Sequence, residues 1–168
     1  PVTAGITALG AAGVAASMEL DNGYDTIITK TGATGEALEN LTTVADNVFS
    51  DMPTTMDDVG VAVGEVNTRF GATGTELENL SKDFIKFANI NGTDLNTAID
   101  SVDSIMTKFG VDASQTKNVL GLMTKAGQDT GISMETLETA LTTNGASLKE
   151  MGLDLTSSVN LLAQMEAS

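Results

Sequence analysis

The residues of this chain that could do chemistry are mostly carboxylates. The sequence has 23 Asp and Glu residues against 8 Lys and Arg, with no histidine and no cysteine. The commonest general base and transition-metal ligand is therefore missing, as are disulfides and thiolate metal sites. A formal net charge of -15 disfavours binding to a nucleic-acid backbone, which needs clustered lysine and arginine.

Two pairs of carboxylates that could be considered for catalysis stand near the predicted starts of helices. Glu36 and Glu39 form one pair, and Glu76 and Glu78 form the other. Residues two apart do not share a helix face, so the second pair is a poor acid–base couple. We therefore expect no enzyme, no catalytic residues and no cofactor. An enzyme hypothesis would need a buried carboxylate pair with shifted pKa values in a cleft.

The loops between helices fit neither a calcium site nor a phosphate site. When a loop glycine is aligned with the invariant glycine of an EF-hand, the first ligand position carries Met18, Phe87 or Ala126, and no Glu follows at the twelfth. The run 32–35 (Gly-Ala-Thr-Gly) could face a phosphate at a helix start, but no Lys-Ser/Thr pair follows it. No metal site is predicted.

One turn sequence recurs along the chain. Residues 32–41 and 71–80 are identical at eight of ten positions and lie 39 residues apart. Weaker copies begin at Gly110 and Gly152, the last after a spacing of 42 residues. Each copy has Thr or Asp two residues after the glycine. A fixed period of this size is typical of stacked helical units.

The turn has a physical explanation as the end of one helix and the start of the next. Glycine adopts the left-handed conformation past a helix end without steric cost, and Thr or Asp caps the following helix. The predicted turn and cap residues are Gly32, Thr34, Gly71, Thr73, Gly110, Asp112, Gly152 and Asp154. An asparagine recurs eight residues after each glycine, at Asn40, Asn79, Asn118 and Asn160. We expect these amides to bond helix to turn; a more specific role stays open.

Apolar residues recur every three or four positions between the turns, which predicts an all-α fold of about eight helices. Short turns predict antiparallel helical hairpins in repeats of roughly 39–42 residues. We expect a single helical-repeat domain over 1–168, with units at about 1–53, 54–92, 93–131 and 132–168. Because the chain begins with Pro rather than Met, we expect it to be excised from a much longer protein.

Internal glycines weaken the predictions of the first and seventh helices. The first, expected over about 3–28, is either broken near Gly23 or held by close packing against a neighbour. The sixth is expected to begin at Asp112, with Gln115 as reciprocal cap, and to end near Gly127 before a loop to Ile132. The seventh, from Ser133 to about Met151, is expected to be interrupted at Asn144-Gly145. The fifth is expected to begin at Thr93.

The remaining features favour ordinary structural roles. Pro1 to Met18 is uncharged, but it lacks a basic start and barely reaches the length of a membrane span, so a membrane or signal role is disfavoured. The lone Tyr24 is expected in the core with a bonded hydroxyl. The eight methionines are expected mostly to fill the core, with a promiscuous apolar surface as the alternative.

One further pattern lies in the segments 15–20, 31–41, 100–111 and 151–153. These segments resemble the conserved region of phage tail tape measure proteins. The resemblance covers the chain from about Ala11, and Met18-Glu19 departs from a more usual Phe-Glu pair. It implies a non-enzymatic virion component of a long-tailed phage or prophage, made in the host bacterial cytoplasm and located in the virion tail. Its roles would be tail assembly, length determination and genome ejection, and its partners tube, tip or assembly-chaperone proteins and further copies of itself.

The turns add a constraint to this resemblance. As one continuous helix the chain would span about 250 Å at 1.5 Å per residue, whereas glycine turns and Pro53 favour a compact form. We therefore expect a folded module rather than a ruler. The alternative is a helical-repeat adaptor without a viral role, which would present a large exposed Met/Leu patch.

Overall fold

The computed structural model describes the backbone of residues 10–166 and the side chains of residues 18–165. Within this part the chain is all-α, which confirms the predicted fold class. It contains eight α-helices, one 3-10 turn and no strand. The helices are α1 (Gly10–Thr31), α2 (Gly35–Asp51), α3 (Met56–Phe70), α4 (Gly74–Asn91), α5 (Leu95–Phe109), α6 (Thr116–Thr130), α7 (Met134–Glu150) and α8 (Leu155–Glu166).

The chain divides into two compact units. Unit 1 comprises residues 1–81 and unit 2 comprises residues 82–168, so the division falls inside α4. Each unit has its own buried apolar side chains. In unit 1 these include Ile27, Val48, Met56 and Val63; in unit 2 they include Ile99, Ile105, Met123, Leu137 and Leu141. The division into four repeats stays a prediction.

In unit 1 the most extensive packing joins α1 to α3. A Cβ atom added to Gly60 would lie 2.6 Å from the carbonyl oxygen of Gly23, and one added to Gly64 would lie 2.9 Å from Cβ of Lys30. The Thr68 hydroxyl donates to the Lys30 carbonyl at 3.2 Å. Residue numbers therefore rise in the same direction along both helices, so α1 and α3 run parallel. The closest pair is not a consecutive antiparallel hairpin.

This contact settles the alternatives left open at Gly23. The helix is continuous through Gly23, and a Cβ at this position would lie 2.6 Å from the backbone oxygen of Met56. Glycine is retained there because α3 approaches closely, not because α1 ends. The predicted start of this helix at Thr3 lies outside the described residues.

In unit 2, α5 packs on α7, and α8 packs on both α6 and α7. The interruption predicted at Asn144-Gly145 is wrong, since α7 is continuous from Met134 to Glu150. A Cβ atom on Gly145 would lie 3.0 Å from the Phe109 ring. As at Gly23, the glycine inside the helix admits a neighbouring element.

Three predicted boundaries also need correction. α6 continues past Gly127 to Thr130 and ends at Gly131, whose φ is 76°, so the loop predicted from Gly127 to Ile132 is wrong. α5 is capped by Asp94, not begun at Thr93, and the Asp94 side chain accepts from the Thr97 amide at 2.8 Å. Asp112 caps a 3-10 turn, Ala113–Gln115, ahead of α6. The propensity pattern located these helices but not their exact ends.

Within the described residues, no helix is both long and apolar enough to cross a membrane. Most of the uncharged segment Pro1 to Met18 lies outside the residues whose side chains are described.

Candidate functional site: turns, buried acid and surface grooves

The glycines of the recurring turn all adopt left-handed backbone conformations. Their φ values are 66° for Gly32, 67° for Gly71, 68° for Gly110 and 85° for Gly152. The two later turns add the hydrogen bond of a Schellman motif. The Val111 amide donates to the Met106 carbonyl at 2.8 Å, and the Leu153 amide to the Leu148 carbonyl at 3.0 Å.

The residue two positions after each turn glycine stands at the start of the next helix, and it does so in two different ways. Asp112 accepts from the Ser114 amide at 2.9 Å, and Asp154 accepts from the Ser157 amide at 2.8 Å. The hydrogen bonds from Ser157 hold the pKa of Asp154 below its usual range. Thr34 has extended backbone at the N-cap position, but its side chain makes no capping hydrogen bond. The side-chain cap predicted at Thr34 is therefore wrong.

The threonine turns contain a second glycine that the aspartate turns lack. Gly35 follows Thr34 with φ 59°, and Gly74 follows Thr73 with φ 55°. The exposed Thr73 contributes its backbone carbonyl, which accepts from the Leu77 amide at 3.3 Å. In the sequence, a Thr-Gly pair therefore distinguishes these turns from the turns that contain Asp.

Two threonines of unit 1 provide a matched test of capping. Thr55 Oγ1 accepts from the Asp58 amide at 3.1 Å at the start of α3, whereas Thr34 makes no such bond. We expect Thr55→Ala to lower the free energy of unfolding by about 1 kcal/mol, because an amide loses its partner. Thr34→Ala should change it by no more than about 0.5 kcal/mol. Urea denaturation followed by circular dichroism measures both; equal losses would contradict the distinction.

The recurring asparagines lie at the surface. Asn40, Asn79, Asn118 and Asn160 are all exposed, and the Asn118 amide donates to Gln115 Oε1 at 2.8 Å. Gln115 is therefore bonded to Asn118 rather than acting as a reciprocal cap. A helix-to-turn bond of the expected kind is made by a different residue, Asn67, whose Nδ2 donates to the Ala72 carbonyl at 3.0 Å.

The paired acids do not form a catalytic cluster. Glu36, Glu39 and Glu76 are exposed, and Glu78 accepts from Asn47 at 3.1 Å. Across the described residues, no group of three or more acidic side chains is placed to hold a metal ion. Sequence periodicity did not identify the acid with the most unusual environment, Glu138, which is 3% exposed.

Glu138 lies in α7 with its Oε1 atom buried and without a hydrogen-bond partner in the described structure. Burial, followed by the nearby charge of Glu135, raises the pKa of Glu138 to about 7. Its position in the sequence resembles that of any surface acid. Only the packing of α7 reveals it.

Two polar contacts hold α1 in unit 1. The half-buried Tyr24 donates its hydroxyl to Asp46 Oδ1 at 2.5 Å, and burial and this bond raise the pKa of Tyr24. Lys30 and Arg69 each bond Glu65 at 2.6 Å. Burial alone would raise the pKa of Glu65, but these two cations outweigh it and lower the pKa.

Two surface hollows could receive a partner. In unit 1, a hollow of about 800 Å³ brings together the predicted residues Asn40 and Thr73, with Asn47 and Asn67 beside them. In unit 2, a shallower groove of about 460 Å³ lies between α4 and α6. We call this second one the α4–α6 groove. It is lined by Phe87, Ile90, Leu120, Gly121 and Thr124, with charged residues Asp83, Lys86, Lys117, Lys125 and Asp129 around them.

Methionines divide between the core and the surface. Met56, Met106, Met123 and Met134 are buried, as expected for core filling. Exposed methionines are found at positions 18, 151 and 165, with exposed fractions of 61%, 74% and 64%. Core filling is therefore confirmed for these four buried methionines, and a promiscuous apolar surface stays a hypothesis for the exposed ones.

One comparison with known proteins assigns the chain to a family. The model of the family described as "Phage-related minor tail protein" matches residues 43–168, three quarters of the chain. No curated protein and no solved structure matches. The matched range takes in α3 to α8 and three of the four recurring turns. The chain therefore belongs to the phage-related minor tail protein family and is a component of a phage tail.

Proposed function

We propose that this chain is a folded helical segment of a tail tape measure protein. The observation that carries the proposal is the match to the minor tail protein family over residues 43–168. The tape measure role rests in addition on the resemblance of several segments, among them 100–111 and 151–153, to tape measure proteins. The segment acts in tail assembly, length determination and genome ejection as part of a longer protein.

The segment contributes to the tail as a folded object rather than as an extended ruler. Left-handed glycines end α3 and α5 within each compact unit, and apolar side chains such as Val63 and Leu137 are fully buried against other helices. Opening these units into one helix would expose that surface, at roughly 25 cal/mol per Å². Length measurement then belongs to extended helices elsewhere in the parent protein.

The proposed role is structural and needs no catalysis. The partners are other tail proteins (tube, tip or assembly chaperones) and further copies of the chain. The acidic composition makes nucleic acid an unfavourable direct ligand. The protein is made in the cytoplasm of the bacterial host and is incorporated into the virion tail.

The test is an in-frame deletion in the phage that encodes the chain, scored by tail length in electron micrographs. Unit 2 is removed as a whole, residues 82–168, because it is a compact unit. A folded module predicts tails of unchanged length. An extended ruler predicts shortening by about 130 Å at 1.5 Å per residue, which would overturn the folded-module proposal.

Deletion of the entire gene product serves as the control for the tape measure role itself. Tails of uncontrolled length, or no tails, are expected. Normal tails in its absence would contradict the tape measure assignment, whatever the result of the shorter deletion.

A further inference from the structure

Among the interior helix glycines of residues 18–165, Gly121 alone has no neighbouring element at its Cβ position; Gly127 is in ordinary contact, with the Ile132 carbonyl oxygen 3.4 Å away. Gly23, Gly60, Gly64 and Gly145 each lie where an added Cβ would come within 3.0 Å of a neighbouring element. Gly121 lies in the interior of α6, and apart from its chain neighbours and the backbone of its own helix no described atom lies within 4 Å of its Cβ position. An interior glycine costs a helix about 1 kcal/mol relative to alanine, and here no neighbour within the described chain explains it.

Gly121 forms part of the α4–α6 groove, within unit 2. The floor of the groove is apolar: Phe87 and Leu120 are 3% and 5% exposed. Ile90 stands at its side with 63% of its surface exposed. α4 and α6 are joined across it by the Asn91 amide, which donates to Thr124 Oγ1 at 3.0 Å. The groove is therefore a largely apolar strip, and Gly121 leaves one position of its lining without a side chain.

The net charge of the residues around this strip is opposite in sign to the net charge of the whole chain. Lys86, Lys117 and Lys125 line it, against Asp83 and Asp129, so the groove carries a small positive charge in a chain of net charge -15. Lys117 and Lys125 lie one turn before and one turn after Gly121, on the same helix face. Their side chains are 78% and 74% exposed. Both have intramolecular acid partners, Asp83 at 3.8 Å and Asp129 at 2.6 Å, but exposed pairs of this kind contribute little and exchange readily.

We propose that the α4–α6 groove binds an acidic amphipathic α-helix of another protein. That helix would cross α6 at Gly121, where the absent side chain allows the backbones to approach. Its apolar face would cover Ile90 and Leu120, and carboxylates one turn on either side of the crossing would pair with Lys117 and Lys125. This inference does not depend on the tape measure assignment.

A second copy of the chain fits the same groove poorly. A symmetric antiparallel crossing of two α6 helices at Gly121 would place Lys117 opposite Lys125 of the second copy, one turn from the centre on each side. Like charges so placed repel.

The probe is a synthetic helix of about six turns with alanine at its centre, glutamate one turn to either side and leucine on the rest of that face. Binding to the full chain is measured by fluorescence anisotropy, and we expect it to weaken as ionic strength rises. A version with lysine in place of glutamate should not bind. No binding of the glutamate helix, or equal binding of both, would overturn the proposal.

Variants locate the site. Gly121→Leu fills the crossing point, where the described structure leaves open space, so the chain should stay folded. Its affinity for the helix should fall by about tenfold or more. Lys117→Glu with Lys125→Glu should have a similar effect. Lys149→Glu, which reverses an exposed lysine of α7 outside the groove, is the matched control. Loss of binding in the control, or full binding in Gly121→Leu, would overturn the assignment, as would a dimer in sedimentation equilibrium that Gly121→Leu dissociates.

Discussion

Replacing Gly60 with alanine is expected to lower the free energy of unfolding of unit 1 by roughly 1–3 kcal/mol. The new Cβ would lie 2.6 Å from the Gly23 carbonyl oxygen and 3.0 Å from Gly23 Cα. Both are backbone atoms, so the overlap with the new Cβ is relieved only if α1 and α3 move apart. That separation would also stretch the contacts that Lys30 makes with Glu65 and Thr68.

The matched control is Gly121→Ala, the same chemical change inside another helix. Outside its own helix no described atom lies within 4 Å of its Cβ position, so the variant should gain up to about 1 kcal/mol from helix propensity. Urea denaturation measures the free energy of unfolding of both variants. Hydrogen exchange in α1 and α3 shows whether the loss of stability in Gly60→Ala lies at their contact. If both alanine variants were stabilised, the close helix crossing described here would be wrong.

Glu138 is expected to make unit 2 less stable as the pH rises. The carboxyl is protonated in the folded chain up to a pKa of about 7, whereas an unfolded glutamate ionises near its ordinary value of about 4.3. Between these two values the unfolded state binds fewer protons than the folded state, so stability falls with rising pH. The loss from this group is complete above the folded pKa and amounts to roughly 4 kcal/mol.

Glu138→Gln isolates this contribution, because glutamine has nearly the same shape and does not titrate. The free energy of unfolding, measured by urea titration at pH values from 4 to 8, should fall more steeply in the wild type than in the variant. Glu135→Gln is the control: Glu135 is exposed, and its removal should lower the pKa of Glu138 only in part. Parallel pH profiles for wild type and Glu138→Gln would show that Glu138 is ionised in the folded chain.

Features decided by local backbone geometry were predictable from the sequence. Gly71 lies at the end of an apolar periodic segment and two residues before Thr73, and helix termination with positive φ follows from that pattern alone. Similarly, the caps at Asp112 and Asp154 follow from an acid placed just ahead of a helix. These need no knowledge of which elements are neighbours in space.

Features decided by tertiary packing were not predictable. A glycine in a helix has the same local cost whether it breaks the helix or faces another one, so Gly23 stayed undecided and Gly145 was assigned to a break that does not exist. Glu138 lies among other exposed-looking acids, and its burial depends on how α7 packs. The parallel contact of α1 with α3 also lies beyond any rule based on short turns alone.

The turn glycines differ from Gly60 in the nature of their restriction. Around Gly32, Gly71 and Gly152 no described atom lies within 4 Å of an added Cβ, so a side chain would find room there. The backbone conformation is nevertheless unfavourable for such a residue, because an L-residue is destabilised by about 1–2 kcal/mol at these left-handed torsion angles. The constraint on these turns is therefore one of chirality rather than volume: a D-alanine introduced by chemical synthesis suits the torsion angles of Gly71 that disfavour L-alanine.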